Sequence, residues 1–167
     1  MNTYLALLIV LIAGVLQSAL TPFLSFHAVH PDLLLVVIVA WSMLRDLEDS
    51  LPLAFVGGAL LDLLSPTPLG PFTLSMLLVS LVTGFWRDKL SYNSFLLAIL
   101  LTLPYSILFY LIFLPLLWAT GYPMTGLGQV FVGIIFPASL MNVGVMALVY
   151  PLFRYLDRFR QRDELTI

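Results

Sequence analysis

The sequence predicts an all-α membrane protein with six transmembrane helices and with both termini on the cytoplasmic side. Hydrophobic residues make up 61% of its 167 positions and charged residues only 10%, whereas soluble domains carry about 25% charged residues. So few charges cannot cover the surface of a water-soluble fold, so lipid must surround most of the chain. The other two observations behind the prediction are six apolar segments and a one-sided distribution of basic residues.

Six apolar segments divide the chain, which is expected to form a single transmembrane domain over residues 1–167. The segments lie at residues 4–24, 31–47, 51–64, 72–86, 94–119 and 128–153. The first, fifth and sixth have the length of about 20 residues that a transmembrane helix needs. No basic residue precedes the first segment, so it is expected to be retained as a span rather than cleaved as a signal peptide.

The second and third segments are short and could instead form one re-entrant hairpin. The second is apolar only as far as residue 44, and it approaches spanning length if its helix extends through Arg45, whose side chain can snorkel. Four of the six residues at 45–50 are charged, and charges are costly in hydrocarbon. This stretch is therefore expected at the membrane surface, which makes the pair two crossings.

All seven Lys and Arg residues fall on one side of a six-span arrangement. They follow the second, fourth and sixth segments: Arg45, Arg87, Lys89, Arg154, Arg158, Arg160 and Arg162. Basic residues mark the cytoplasmic side of a membrane protein. A five-span arrangement would divide them between two faces, so their distribution favours six spans.

The C-terminal basic residues Arg154, Arg158 and Arg162 are spaced by four and form one face if this segment is helical. Near anionic lipid each such charge contributes about 1 kcal/mol. We expect this face to anchor the topology. Docking of a cytoplasmic protein is the less favoured alternative.

Asp62 lies near the outer end of the third segment, where an isolated carboxylate would be expensive. One hypothesis makes it a proton or ligand site. The other makes it the acceptor of backbone hydrogen bonds from the turn at residues 65–70. We favour the second hypothesis, because no other acidic residue lies close by in the sequence to complete a relay.

Other polar residues in the apolar segments predict contacts between helices. Asp32 follows Pro31 at the start of the second segment, an arrangement that suits a helix N-terminus. Gln17 and Asn142 are expected to find hydrogen-bond partners on neighbouring helices. A pairing of Asn142 with Asp62 is one possibility.

Small residues and prolines predict how the helices pack. Three pairs of small residues are four apart, which lets helix backbones approach closely: Gly14 with Ser18, Ala54 with Gly58, and Ser80 with Gly84. We expect these pairs to pack inside the protein rather than against a partner. Pro104, Pro115 and Pro137 are expected to bend their helices, and irregular packing is favoured over a cavity between bent helices.

The residue types needed for catalysis or metal binding are scarce. The chain has no cysteine, and His27 and His30 alone make a poor metal site. The interiors of the spans hold no serine–histidine pair and no acid other than Asp62, and the chain has no glycine-rich phosphate loop. We therefore expect that the protein is not an enzyme and that it binds no cofactor and no metal. A membrane scaffold and a small solute-capturing transport component remain, and the sparse polar groups favour the scaffold.

Several of these residues together resemble the family of the rod shape-determining protein MreD. The motifs are a Pro-Asp helix start, a Gly-x-x-x-Asp-Leu span, a Leu-Gly turn and a last span with a basic exit. The residues that carry them are Pro31, Asp32, Gly58, Asp62, Leu69, Gly70, Asn142 and the run 150–154. With the six-span layout, the likeness covers nearly the whole chain.

The resemblance implies a scaffold of the bacterial cell-elongation complex, in the cytoplasmic (inner) membrane, that regulates peptidoglycan synthesis and cell shape. Its implied partners are membrane lipids and an MreC-like bitopic protein. Its implied indirect partners, reached through the MreC-like protein, are a RodA-type glycosyltransferase, a penicillin-binding transpeptidase and an MreB-like cytoskeleton. No nucleic acid is expected as a partner. The resemblance also implies a fold similar to the S components of energy-coupling-factor transporters, so binding of a vitamin-like solute is the alternative function.

Overall fold

The computed structural model describes residues 3–24, 29–87, 95–121 and 127–163. The regular elements in these ranges are helices. They are α1 (Thr3–Leu24), α2 (Leu33–Leu44), α3 (Leu47–Leu64), α4 (Pro71–Arg87), α5 (Phe95–Ala119), α6 (Leu127–Val130), a π-helical turn (Phe131–Ile135) and α7 (Phe136–Asp163). Since α6, the π-helical turn and α7 follow one another without a break, the described residues form six helical rods.

The shortest rod, α2, lies at the centre of the bundle. Every residue from Leu34 to Met43 is buried, and α1, α3, α4, α5 and α7 all pack against this helix. A helix enclosed on all sides is apolar on all sides, which explains why the second segment reads as uniformly hydrophobic. At 12 residues it is about 18 Å long, short of the roughly 30 Å of a bilayer core.

The boundary between α2 and α3 differs from the expected one. We expected the second helix to continue through Arg45 to residue 47, but it ends at Leu44. Arg45 is extended (φ −128°, ψ 160°), and the carbonyl of Asp46 accepts the backbone N–H groups of Asp49 and Ser50 at 3.1 and 3.0 Å. The charged residues thus start α3, where acidic side chains in the first turn favour a helix N-terminus.

Contacts at one end of the bundle indicate that successive rods alternate in direction. Near one end Ser42 of α2 hydrogen-bonds Ser80 of α4, with 2.8 Å between the hydroxyl oxygens, and Arg87 pairs with Asp46. Arg45 lies 5.8 Å from the ring centre of Trp41. The C-terminal ends of α2 and α4 therefore lie side by side.

The last rod, α7, brings a further basic residue to the same end. The ring of Phe153 lies 6.0 Å from that of Trp41, and Phe95 at the start of α5 lies 6.4 Å from Tyr150. We call this the basic end, because Arg45 follows α2 there, Arg87 ends α4, and Arg154 lies on the same part of α7 as Tyr150 and Phe153. The grouping of these three residues agrees with the one-sided distribution expected from the sequence.

Two of the described helical stretches are long and apolar enough to cross a membrane, Phe95–Ala119 and Phe131–Tyr155. Shorter apolar stretches are Leu5–Ala19, Leu33–Leu44 and Pro71–Arg87. Large apolar side chains are exposed on every rod except α2. The exterior of these rods therefore carries many large apolar side chains, as in proteins whose solvent is lipid.

The π-helical turn ends two residues before Pro137. Phe136 donates its N–H to the carbonyl of Phe131, five residues back. Pro137 has no N–H to give the carbonyl of Gly133, and widened turns of this kind occur where the usual bond pattern is broken. Pro104 and Pro115 lie within the continuous helix α5.

Five of the six small residues expected to pack internally are buried, but Ser18 is exposed. A Cβ atom on Gly58 would lie 2.5 Å from the Cα of Thr73, so the backbones of α3 and α4 touch at this point. A Cβ on Gly14 would meet Leu60, and one on Gly84 would meet Leu47. Glycine at these positions allows the close approach that fixes the spacing of the helices.

Candidate functional site

A buried polar cluster lies at the end of the bundle opposite the basic end. It consists of Gln17, Asp32, Ser106, Tyr110 and Asn142, which we call the Asp32 cluster. Each of these side chains is at most 9% exposed. They come from α1, the residue before α2, α5 and α7, so the cluster joins four rods.

The Asp32 carboxylate is the acceptor at the centre of the cluster. One oxygen accepts a hydrogen bond from Gln17 Nε2 at 3.3 Å, and the other accepts one from the Tyr110 hydroxyl. The carboxylate makes no cap bond to its own helix. Gln17 caps the N-terminus of α2 instead, since its Oε1 accepts the N–H of Leu34 at 2.8 Å.

Asn142 completes the cluster from α7. Its Oδ1 accepts the backbone N–H of Asp32 at 2.7 Å, and its Nδ2 donates to Ser106 Oγ at 3.2 Å. The partner of Asn142 is therefore Asp32, not Asp62 as the sequence had suggested. Asp62 lies elsewhere, at the junction of α3 with α4.

Asp62 caps the N-terminus of α4. Its Oδ1 accepts the N–H of Phe72 at 3.0 Å, and its Oδ2 accepts the N–H of Thr73 at 3.0 Å and the hydroxyl of the same residue. The donors belong to the first turn of the helix and not to the preceding turn at residues 65–70. Free N–H groups at a helix N-terminus favour an anionic acceptor, and α3 supplies it.

The turn that leads into α4 depends on Gly70 and Pro71. Gly70 has a φ of +116°, a conformation that residues with a Cβ rarely adopt. Pro71 then occupies the first helical position, where its missing N–H costs nothing. Leu69 is 70% exposed, so this motif residue contributes to the surface, while Gly70 and Pro71 shape the backbone.

Replacing Asp62 with asparagine is expected to destabilise the protein by about 1–3 kcal/mol. Both carboxylate oxygens accept a backbone N–H, so an amide leaves the N–H of either Phe72 or Thr73 without its acceptor. Thermal unfolding in detergent measures the loss. Glu48→Gln, a carboxylate change at an exposed site in α3, should stay within about 0.5 kcal/mol, and equal effects of the two substitutions would contradict the capping role.

A cleft of about 240 Å³ lies beside the Asp32 cluster and the N-terminus of α4 that Asp62 caps. It is lined by Gln17, Ser18, His30, Leu61, Leu64, Ser65, Pro66 and Phe72. His30 Nδ1 is buried and has no hydrogen-bond partner among the described residues. His27 lies outside the described residues, and within those that are described no group of three His, Cys, Asp or Glu side chains could hold a metal.

The predicted basic face of α7 is described only in part. Arg154 lies at the basic end and lines a cleft with Tyr150. The backbone at Arg158 and Arg162 is helical, but their side chains are outside what the structure describes. The shared face of the three arginines stays a prediction.

Sequence reasoning missed Ser106 and Tyr110, the two members of the Asp32 cluster on α5. The fifth segment contributed only hydrophobicity to the prediction. A signal was present, because Thr102, Ser106 and Tyr110 recur every four residues and therefore share one face of a helix. All three are buried, and that face is turned toward the bundle interior.

Comparisons with known proteins give one match. The family model described as rod shape-determining protein MreD matches residues 1–160 of the chain. Searches among curated proteins and among solved structures found no match.

Proposed function

Because the chain belongs to the MreD family of rod shape-determining proteins, we propose that it is a non-enzymatic scaffold that binds an MreC-like bitopic protein. Members of this membrane family act in the rod-shape complex with MreC and MreB. In the proposal, binding of the MreC-like protein regulates peptidoglycan synthesis. A RodA-type glycosyltransferase and its penicillin-binding transpeptidase are reached through that partner.

The use of the two buried carboxylates is the observation that carries the scaffold role. Asp32 accepts hydrogen bonds from two other rods, and Asp62 caps α4. Both acids therefore hold helices in place, which is a structural task. The family match favours the rod-complex role over the solute-binding alternative.

The proposal places all six rods across the bacterial cytoplasmic membrane. Alternating rod directions and the grouping of Arg45, Arg87 and Arg154 at one end support this arrangement, because positively charged residues favour the cytoplasmic side. The central rod α2 is shorter than a bilayer core, but its neighbours enclose it completely. Lipid therefore meets the five outer rods, and the short helix needs no lipid contact of its own.

The same burial restricts where a partner can bind. Since residues 34–43 of α2 are all buried, the transmembrane helix of an MreC-like protein must pack against another rod. Outward positions on those rods carry large apolar side chains. Examples, one from each rod, are Ile12, Phe55, Leu78, Leu111 and Leu148, which are 43–77% exposed.

Single cysteines at these five positions test the proposal, because the chain has no cysteine of its own. The variants are expressed in cells with an MreC-like protein that carries one cysteine in its transmembrane segment, and the pair is oxidised. We expect a crosslink from one outer rod and none from Ala40→Cys on buried α2. Absence of a crosslink from all five rods, with no co-purification of the pair in mild detergent, would contradict partner binding.

A further inference from the structure

A second cleft, at the basic end, is not used by the proposed scaffold role. Its volume is about 390 Å³, within the range of roughly 300–1,000 Å³ found for ligand sites. It lies between the start of α5 and residues 150–155 of α7. The lining residues are Phe95, Tyr150, Pro151, Arg154 and Tyr155.

The polar groups of this cleft suit a phosphate ester. Tyr150 and Arg154 are four residues apart on α7, so they lie on one face of the helix. The tyrosine is fully buried and its ring packs against Phe95, which fixes one wall. A guanidinium group offers a planar fork of donors that matches phosphate oxygens.

The surroundings of the cleft favour a lipid as the ligand over a free phosphate ion. Tyr155 at its rim is 60% exposed, and tyrosines of this kind lie at the level of lipid headgroups. Leu148 and Leu152 precede it on the same face of α7 and are 77% and 56% exposed. An apolar track therefore runs along the outside of the bundle from the Tyr155 rim of the cleft, on a different face of α7 from Tyr150 and Arg154.

We propose that this cleft binds one anionic glycerophospholipid, with its phosphodiester at Arg154 and an acyl chain that passes Tyr155 at the rim to lie along Leu148 and Leu152. The proposal requires the basic end to lie at the membrane surface, as in the six-span arrangement proposed above. Basic pockets between transmembrane helices bind anionic headgroups in this way. The site differs from a diffuse charge effect because it depends on Arg154 in particular.

Native mass spectrometry of the full chain tests the site. The protein is purified in neutral detergent and mixed with equal amounts of phosphatidylglycerol and phosphatidylcholine. We expect one retained phosphatidylglycerol, and we expect Arg154→Gln to lower the preference over phosphatidylcholine about fivefold. Arg45→Gln removes the same charge at the same end but outside the cleft lining, and it should keep the preference.

Further variants separate a site from its alternatives. Arg154→Lys should retain most of the preference, and Tyr155→Ala, at an exposed position, should lower it even if Arg154→Gln cannot be purified. Equal losses from Arg45→Gln and Arg154→Gln would overturn the proposal in favour of general charge attraction. Displacement of the lipid by millimolar inorganic phosphate would also overturn it, since the cleft would then be a site for the free ion.

Discussion

Replacing Asp32 with alanine is expected to lower the thermal unfolding midpoint in detergent by roughly 10 °C. The substitution removes the carboxylate that accepts hydrogen bonds from Gln17 Nε2 and from the Tyr110 hydroxyl. Each lost bond to the buried carboxylate costs about 1–3 kcal/mol, and 1 kcal/mol shifts the midpoint by about 2–4 °C for a chain of this size. The effect is large because a single carboxylate joins α1 and α5 to the start of α2.

Two control variants identify the cause of that loss. Asp32→Asn keeps one acceptor oxygen and should lose less stability than Asp32→Ala. Tyr110→Phe removes a donor together with its need for an acceptor, so the double variant Asp32→Ala/Tyr110→Phe should be less destabilised than the sum of the single variants. Strict additivity would show that the two side chains do not act as a pair.

Replacing Gly58 with alanine is expected to destabilise the protein by about 3 kcal/mol, which is severe for one added methyl group. The new Cβ would lie 2.5 Å from Thr73 Cα and 3.1 Å from the carbonyl oxygen of Phe72. These are backbone atoms, which cannot turn aside as a side chain can. The helices α3 and α4 would have to separate, and the hydrogen bonds that Asp62 accepts from Phe72 and Thr73, one turn away, would lengthen.

Two other glycines provide matched controls for this substitution. In Gly84→Ala the added Cβ meets the end of the flexible Leu47 side chain, so the loss should be smaller. In Gly144→Ala it meets nothing within 4 Å, and stability should not fall, because alanine favours helix more than glycine does. Unfolding midpoints that fail to rank in this order would contradict the close approach of α3 and α4.

Hydropathy and charge placement predicted most of the helical framework, and local backbone geometry accounts for the main error. The apolar segments correspond to the six rods, but the end of α2 was placed too late. The prediction extended that helix through Arg45 so that it would be long enough to cross a bilayer. A helix enclosed at the centre of a bundle does not need that length. The start of α3 at Leu47 follows from the conformation of Asp46, which hydropathy does not report.

The polar residues were identified from the sequence more readily than their partners were. Gln17, Asp32, Asp62 and Asn142 stood out because each interrupts an apolar segment. Their pairing depends on which rods are neighbours, and spacing along one chain carries no such information. Tyr110 escaped notice because tyrosine is common in membrane helices, so only its register with Ser106 could have revealed it.

The crossing of the membrane by the bundle, with both chain ends in the cytoplasm, is tested most directly by labelling single cysteines in intact cells with a membrane-impermeant maleimide. The background is clean because the chain has no cysteine. The account predicts labelling at Leu69→Cys and Thr120→Cys, beyond the ends of α3 and α5. It predicts protection of Glu48→Cys and Tyr155→Cys until the cells are opened. Labelling of Glu48→Cys in intact cells, or protection of Leu69→Cys, would contradict the six-span arrangement.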